Sequence, residues 1–473
     1  MIPKAEILRL ATESSLQPNV VEKDYVLGWL LAGIHQHPVL GQSWVFKGGT
    51  CLKKCYFETY RFSEDLDFTL REAEHLESQF LGEAFGQVAE WVYEASGIEI
   101  LTEKTVFDGY KPGACQGRLY YRGPVTPAGN KAVPRIKLDL TVNEVVADPP
   151  VINAVRHEYS DLPEQGIAAL CYSYVEVFAE KIRALKERTR PRDLYDVINF
   201  FRRPESADLG AAVKAILKQK CAFKSITFPV LAELEEHRED CAAGWRDQLS
   251  HQLQILPPFE SFWDELTSFF AWLGGASKPV LPTLSSEGIA YTGSWASLGV
   301  PVERSALEHI RFAAVNRLLL LLDYRKQNDA REQYQIEPYS LRRTLDGNVI
   351  LYAIKSSTGE TRSFRVDRIL SAEILQEPFT PRFEIDLLPA GPVRINPAPI
   401  VEEKSRTYKT PVVRAPKLYA FGKSAGGIKY VFKCTACGKT FTKSNFDSTL
   451  NQHKNKQGYQ CIGRFGAYQK TKH

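Results

Sequence analysis

Long apolar runs are missing from this chain of 473 residues: the five leucines of Leu318–Leu322 fall far short of the roughly 20 residues a membrane helix needs. The opening stretch, MIPKAEILRL, has no apolar core of the secretory type. A cytoplasmic protein without membrane contact is therefore expected. Disulfide-type spacing is missing too. Six of the nine cysteines (Cys51, Cys55, Cys115, Cys171, Cys221, Cys241) are scattered through patterned segments, which suits a reducing compartment. No GxxxxGK[ST] loop occurs, so a P-loop nucleotide site is excluded. No internal repeat is visible, and no low-complexity stretch interrupts residues 1–275. With 44% hydrophobic residues, disorder as the main state is excluded as well.

What the chain does have is length for two to four domains and an uneven charge. Residues 401–473 hold 15 Lys plus Arg against 3 Asp plus Glu, a net of +12, which leaves 45 against 53, a net of −8, for the first 400. An acidic body with a basic tail points to a polyanionic partner. Residues 1–275 alternate short apolar strands with longer helical patterns and read as an α/β unit, with a catalytic lobe over about 1–150 and a helical lobe over about 151–275. A Gly/Pro/Ser-rich stretch marks 276–302 as a linker. A helix followed by strand-like runs makes 303–383 a small β domain. A Pro-rich linker, 384–418, leads to a compact module at 419–473.

The first chemical constellation starts at Trp44–Lys47, an apolar strand ending at Gly48-Gly49, with Thr50 opening a helical pattern. A strand, a glycine turn and a helix start present free backbone N–H groups to an anion. In RFSEDLDF, strand alternation puts Ser63, Asp65 and Asp67 on one face, with Leu66 and Phe68 on the other. In RIKLDLTVNE, Asp139 shares a face with Lys137 and Thr141, opposite Ile136, Leu138 and Leu140. Three converging carboxylates repel unless cations bridge them, and hard oxygen ligands at this spacing suit Mg²⁺ or Mn²⁺. Two such ions about 4 Å apart activate an attacking oxygen and neutralise a leaving pyrophosphate. The alternative is a set of solvated edge-strand aspartates.

VEKDYVL (21–27), FKGGTCLKKCYF (46–57), RFSEDLDFTL (61–70), IKLDLTVNE (136–144) and EVFAEKIRALKERTRPRDLYDV (176–197) stand in this order. Together they resemble the AbiEii family of nucleotidyltransferases, a branch of the DNA polymerase β-like superfamily that includes toxins of type IV toxin-antitoxin systems in phage defence. The resemblance implies a mixed sheet with helices, a helical C-terminal lobe, and nucleotide transfer from NTPs, in some members onto tRNA. It also implies an antitoxin partner. By the same resemblance, Gly48, Gly49 and Thr50 form the phosphate-binding turn, Asp65 and Asp67 the metal pair, Lys181 the triphosphate contact, and Asp193 a further support. Cys51 stands where the family usually has Ser. Arg61 serves either as a phosphate contact or as a structural ion pair.

Residues 336–375 resemble a WYL domain, an SH3- or Sm-like β-barrel that senses ligands, with Ile350-Leu351-Tyr352 in place of its naming triplet. Arg342, Arg343, Arg362, Arg365 and Arg368 supply planar cationic forks suited to phosphate, or pair with Asp367 and neighbouring glutamates instead. Alternation puts Arg362 and Arg368 on the face of Phe364 and Val366, with Arg365 on the other.

In the basic tail, Cys434 and Cys437 at CxxC spacing, followed by His453 and Cys461, offer the four ligands of a closed structural zinc site. The run resembles a zinc-ribbon-type finger, with Phe441 and Leu450 as its small core. Lys433, Lys439, Lys443, Lys454, Lys456, Arg464, Lys470 and Lys472 interleave with Phe441, Tyr459, Phe465 and Tyr468, a mixture suited to nucleic acid. A protein-docking finger is the competing reading. The whole chain is thus expected to be a Mg²⁺-dependent nucleotidyltransferase toxin or antiphage effector acting on RNA or tRNA 3′ ends. Two alternatives stand beside it: an inactive nucleic-acid-binding or ligand-sensing regulator, and an NTP-dependent phosphotransferase.

Overall fold

The computed structural model describes residues 1–387 apart from 14–15, 58–60, 62, 127–132, 286–287 and 291–303. Of the remainder it describes 429–434, 436–443, 448–451, 453, 461 and 466–472. Residues 1–395 make one compact unit and 396–473 a second.

The first unit begins with α1 (Lys4–Glu13), α2 (Pro18–Gln36) and α3 (Leu40–Ser43), then β1 (Trp44–Lys47) and the short α4 (Gly48–Cys51), which runs into a π-helical turn at Leu52–Tyr56. β2 (Asp65–Leu70), α5 (Ser78–Ser96), β3 (Glu99–Ile100), β4 (Val106–Lys111), β5 (Ala114–Arg122), β6 (Arg135–Thr141), β7 (Val151–Val155) and β8 (Ile167–Cys171) follow. The strands form one mixed sheet in the order β3-β5-β6-β2-β1-β8-β7, with β4 paired to β5. β2 and β6 run parallel, and β1 pairs antiparallel with β2 and parallel with β8. Alternation is strict where the sequence reading placed it. Leu66 and Phe68 of β2, and Ile136, Leu138 and Leu140 of β6, are buried, while Asp65, Asp67, Lys137 and Asp139 face the other way and are partly exposed.

A helical lobe comes next: α6 (Tyr174–Arg188), α7 (Pro191–Arg202), α8 (Gly210–Phe223), α9 (Leu231–Glu235), α10 (Arg238–Leu249), α11 (Glu260–Trp263) and α12 (Leu266–Gly274). Ser173 caps α6 by accepting a hydrogen bond from the Glu176 N–H, and Pro191 opens α7 where its missing N–H costs nothing. Phe178 and Phe200 stack at 4.7 Å and join the two helices in a core shared with the sheet.

A second hydrophobic core lies within the same unit, around Leu307, Ile310, Leu320, Ile336, Leu351 and Phe364. It is enclosed by α13 (Arg304–Asn316) and an antiparallel sheet of β9 (Ile289–Ala290), β10 (Leu318–Arg325), β11 (Arg331–Arg343), β12 (Val349–Lys355), β13 (Thr361–Arg365) and β14 (Ile369–Pro378), in the order β13-β12-β11-β10-β14 with β9 on β11. Arg368 sits in a 3-10 turn, Val366–Arg368, so the expected strand alternation stops at Arg365 and does not carry Arg368 onto the Phe364 face. Among the described residues no helix is long and apolar enough to cross a membrane. Most of the linker expected at 384–418 and the finger residues Lys454, Lys456, Tyr459, Arg464 and Phe465 lie outside the described residues.

The second unit contains β15 (Lys429–Cys434), β16 (Thr440–Lys443) and β17 (Gly466–Lys472), an antiparallel sheet with β15 in the middle. Its core is Phe432 and Leu450 with Cys434 and Cys461, and Phe441 packs at its edge.

Candidate active site

The β2–β6 register brings the three carboxylates together: Asp65 is paired with Lys137 and Asp67 with Asp139. On the other side of β2, Lys47 is the register partner of Asp67. The glycine turn closes over this row. Gly48 has φ +80°, and a Cβ built there would lie 2.1 Å from Asp67 Oδ2, so only glycine lets the carboxylate rest against the turn. A Cβ on Gly49 would meet Ser63 Oγ at 2.8 Å and an Arg61 terminal nitrogen at 3.0 Å.

The electrostatics of this row are unbalanced. Burial, followed by the charge of Asp139, pushes the Asp67 carboxyl up to about 6, against the pull of Lys47 and Lys181. Burial also raises Asp65, helped by Asp139 and opposed by Lys137. The Lys137 ammonium lies 2.6 Å from Asp139 and 3.9 Å from Asp65, a half-exposed monovalent charge resting on the outer two carboxylates. Gln116 donates to Asp139 at 3.3 Å. Aspartates held together and short of positive charge are the donor set a divalent cation satisfies, so the residues present fit the ion.

Several expected phosphate contacts are already engaged. Thr50 is fully buried and its hydroxyl donates to the Asp65 carbonyl at 2.5 Å, which ties the turn to β2 instead of presenting the hydroxyl to a ligand. Cys51 is equally buried. Its thiol lies with those of Cys55 and Cys171 in a cluster whose sulfurs are all within 4.8 Å, so the side chain at this position points into the core. Arg61 grips Asp196 with two hydrogen bonds at 2.7 and 2.8 Å and reaches Gln252 at 2.9 Å, the ion-pair arm of the two readings left open above.

Lys181 contacts Asp196 as well, at 2.7 Å. Asp196 is fully buried, and against the burial that pushes it up, Arg61 and Lys181 hold it well below the usual carboxylate range. Asp193, which the resemblance implied as the support, is paired with Arg188 at 2.7 and 2.9 Å. Of the two aspartates in Arg192-Asp193-Leu194-Tyr195-Asp196, the structure sets the second beside Lys181. One helical turn separates them, and both lie on the α7 face that carries Phe200, so helical periodicity alone does not tell them apart.

Lys47 and Glu144 were not singled out from sequence. Lys47 pairs with Glu144 at 4.0 Å, and Glu144 also meets Arg183 at 3.4 Å and Lys224 at 3.2 Å. Burial lowers the Lys47 ammonium, with Glu144 opposing. Glu22 is the third omission: one of its carboxylate oxygens accepts the backbone N–H groups of Val125 and Thr126 at 2.6 and 3.0 Å. All three lie in quoted motifs, but only the register across β1 and β2 shows that Lys47 stands beside the carboxylate row.

The five arginines of the β domain do not converge. Arg342 and Arg365 flank Ile350 on one face, across β11, β12 and β13. Each is neutralised: Arg342 pairs with Asp386, and Arg365 makes two bonds to Asp367 at 3.0 and 2.7 Å. Arg362 lies over the Tyr334 ring at 4.8 Å on the Phe364 side, while Arg343 is exposed at the end of β11.

In the second unit Cys434, Cys437, His453 and Cys461 meet, with all ligand atoms within 4.8 Å of one another. Cys434 and Cys461 sulfurs are 3.8 Å apart, and Cys437 Sγ lies 3.3 Å from His453 Nε2. Four bonds of about 2.3 Å at tetrahedral angles put ligand atoms roughly 3.8 Å apart, so the set fits zinc. His453 Nδ1 bonds the Asn451 carbonyl at 2.9 Å, which leaves the Nε2 lone pair for a metal.

A glycine turn closes over three carboxylates on adjacent strands, and the family that this region matches makes the chain a nucleotidyltransferase. Residues 29–267, just over half of the chain, match the family described as nucleotidyl transferase AbiEii toxin, type IV TA system. The chain belongs to that family. Residues 305–374 match the WYL domain. Among solved structures the chain is similar to MenT4, a nucleotidyltransferase toxin of Mycobacterium tuberculosis H37Rv, with 18% identity over 59% of this chain and 91% of that one, at a TM-score of 0.36. It is also similar to proteasome accessory factor B/C of Arthrobacter aurescens, with 14% identity over 44% of this chain and 32% of that one, at a TM-score of 0.16. No curated protein sequence matches.

Proposed function

We propose that the chain is a toxin or antiphage effector that transfers a nucleoside monophosphate from an NTP to the 3′ hydroxyl of an RNA, with tRNA the favoured acceptor. The observation that carries this reading is the carboxylate row of Asp65, Asp67 and Asp139 against Gly48. Asp65, Asp67 and Asp139 would hold divalent ions, Mg²⁺ or Mn²⁺, which supply charge neutralisation at the reacting phosphate.

The backbone of Gly48 and Gly49 offers N–H groups to the triphosphate, and the missing side chains let phosphate approach. Lys47 and Lys181 stand behind the row as fixed positive charge, and Asp196 keeps Lys181 and Arg61 in place. The acceptor oxygen bonds to the α-phosphorus, its proton passes to Asp139, and the bond from the α-phosphorus to the bridging oxygen breaks to release pyrophosphate. Lys137, already on Asp139, steadies that carboxylate. The zinc-stapled finger and its lysines supply electrostatic capture of the acceptor. An antitoxin protein is the regulatory partner that the family suggests.

The test incubates purified protein with each α-labelled NTP, Mg²⁺ and total RNA or tRNA, beside the double variant Asp65→Ala/Asp67→Ala. Label on RNA that the variant abolishes is the expected result. No label with any NTP, from folded protein that binds RNA, would overturn the reading in favour of an inactive regulator.

A further inference from the structure

The helical lobe and the β domain meet around a cavity of about 460 Å³ that the transferase chemistry does not use. Asn199, Arg202 and Arg203 come from α7 and its end, Glu265 from the start of α12, Lys278 from the segment beyond it, and Arg317 from the junction of α13 and β10. The volume falls in the range of small-molecule sites.

The charge in this cavity is only partly answered. Glu265 is shared by two guanidinium groups, with Arg202 at 2.8 Å and Arg317 at 2.6 Å. Arg202 and Arg203 are each 6% exposed or less in side chain or residue. The Lys278 ammonium is capped by the carbonyls of Phe201 and Arg203 at 2.5 and 2.9 Å, and among the described residues no carboxylate lies within ion-pair distance of it. With the Arg203 guanidinium over the Phe57 ring at 4.4 Å, the lining holds Arg202, Lys278 and Arg317 against Glu265 and Glu384. Burial, then the Arg317 charge, pulls the Lys278 ammonium down to about 8. Burial, then Arg202, pulls Arg317 down to about 10. A second observation points the same way. Asn199 is 2% exposed, donates its amide nitrogen to the Tyr195 carbonyl at 2.8 Å, and leaves its amide oxygen without a partner. A buried acceptor of that kind is costly unless something donates to it. Leu281, Phe383 and Ile385, each partly buried, add apolar wall.

We infer that this cavity is a binding site for a small organic oxyanion that carries a hydrogen-bond donor and an apolar body. Its negative group answers the Arg202, Arg317 and Lys278 charges, its donor satisfies Asn199, and its body lies against Leu281 and Phe383, with Val280 at the mouth. Because the lining comes from both the helical lobe and the β domain, a bound molecule ties the two together.

The probe is 8-anilinonaphthalene-1-sulfonate, which has a sulfonate, an N–H donor and an aromatic body. It is titrated by fluorescence into the full chain with no nucleotide and no Mg²⁺ added, so that metal-dependent nucleotide binding at the carboxylate row plays no part and the finger keeps its zinc. Val280 lines the cavity and is 96% exposed, so charge can be placed there without disturbing a core. One saturable bright site is expected, weakened about fivefold in Val280→Glu, tightened about as much in Val280→Lys and unchanged in Val280→Gln, the size of one unit charge acting near the surface. 1-Naphthyl phosphate should displace the dye where 1-naphthol at the same concentration does not. Near-ultraviolet circular dichroism checks that each variant is folded. Absence of a saturable site, equal affinities across the three variants, or equal displacement by naphthol would each overturn the inference.

Discussion

Asp67 stands side by side with Asp139 across the parallel β2–β6 pair, and the carboxyl of Asp67 is held up at about 6 largely by burial and by that neighbour. Acidity at this site is therefore a cost carried by the fold. A carboxyl raised above its ordinary value of 3.8 favours the folded state fully below about pH 4, and that contribution is lost as pH rises through about 6. Asp67→Asn should thus stabilise the metal-free protein by about 1–3 kcal/mol at pH 8 and by roughly half as much at pH 5, while abolishing transfer. Urea unfolding in EDTA at the two pH values measures this, and an equal effect at both would refute it. Adding Mg²⁺ at pH 8 should raise the melting temperature of the unsubstituted chain more than that of the variant.

Gly48 is the second point of pressure. With φ +80° and Asp67 Oδ2 only 2.1 Å from a built Cβ, Gly48→Ala meets both a left-handed backbone and a carboxylate. We expect a loss of about 1–3 kcal/mol in stability and of essentially all transfer activity. Gly82→Ala is the control, since nothing lies within 4 Å of a Cβ there and the residue is inside α5. It should be neutral or slightly stabilising. Chemical denaturation of the two variants side by side decides the matter.

The two aspartates of α7 should behave differently. Asp196 is buried and answers two buried cations, so Asp196→Ala takes the shared carboxylate away from Arg61 and Lys181 and should cost about 3–5 kcal/mol. Asp193 is itself buried but answers only Arg188, whose side chain is 46% exposed, so Asp193→Asn strands no buried cation and should cost clearly less, about 1–2 kcal/mol. If the two losses prove equal, the assignment of Asp196 as the anchor of Lys181 fails.

These contrasts mark how far the sequence could be read. Strand alternation placed Asp65, Asp67 and Asp139 on one face because period two is rigid and the apolar partners Leu66, Leu138 and Leu140 are unambiguous. It could not choose between Asp193 and Asp196, since both lie on one helix and only packing against α6 decides which meets Lys181. Thr50 and Cys51 follow the glycine turn in sequence, yet the tight α4 turn sends both side chains inward. The arginines of the β domain were legible as charge and Asp367 as a pairing acid, but Asp386, which neutralises Arg342 from beyond the last strand, is placed by no local pattern. The cavity at Lys278 and Arg317 joins residues far apart in sequence, so no window on the chain would reveal it.

The finger gives the last prediction. Its described core is two apolar side chains, Phe432 and Leu450, with two cysteines, too little to hold such a module without a cross-link or a metal. The ligand atoms nevertheless sit at tetrahedral spacing, and the Asn451 carbonyl fixes the His453 tautomer. Metal analysis of undenatured protein should find about one equivalent of zinc, and less than about half would refute the site. Cys461→Ser should lower zinc affinity at least about tenfold in a chelator competition, whereas His453→Cys should keep zinc as a four-thiolate site and lose only the tautomer bond. If His453→Cys instead fails to bind while Cys461→Ser binds normally, the four residues do not act as one ligand set.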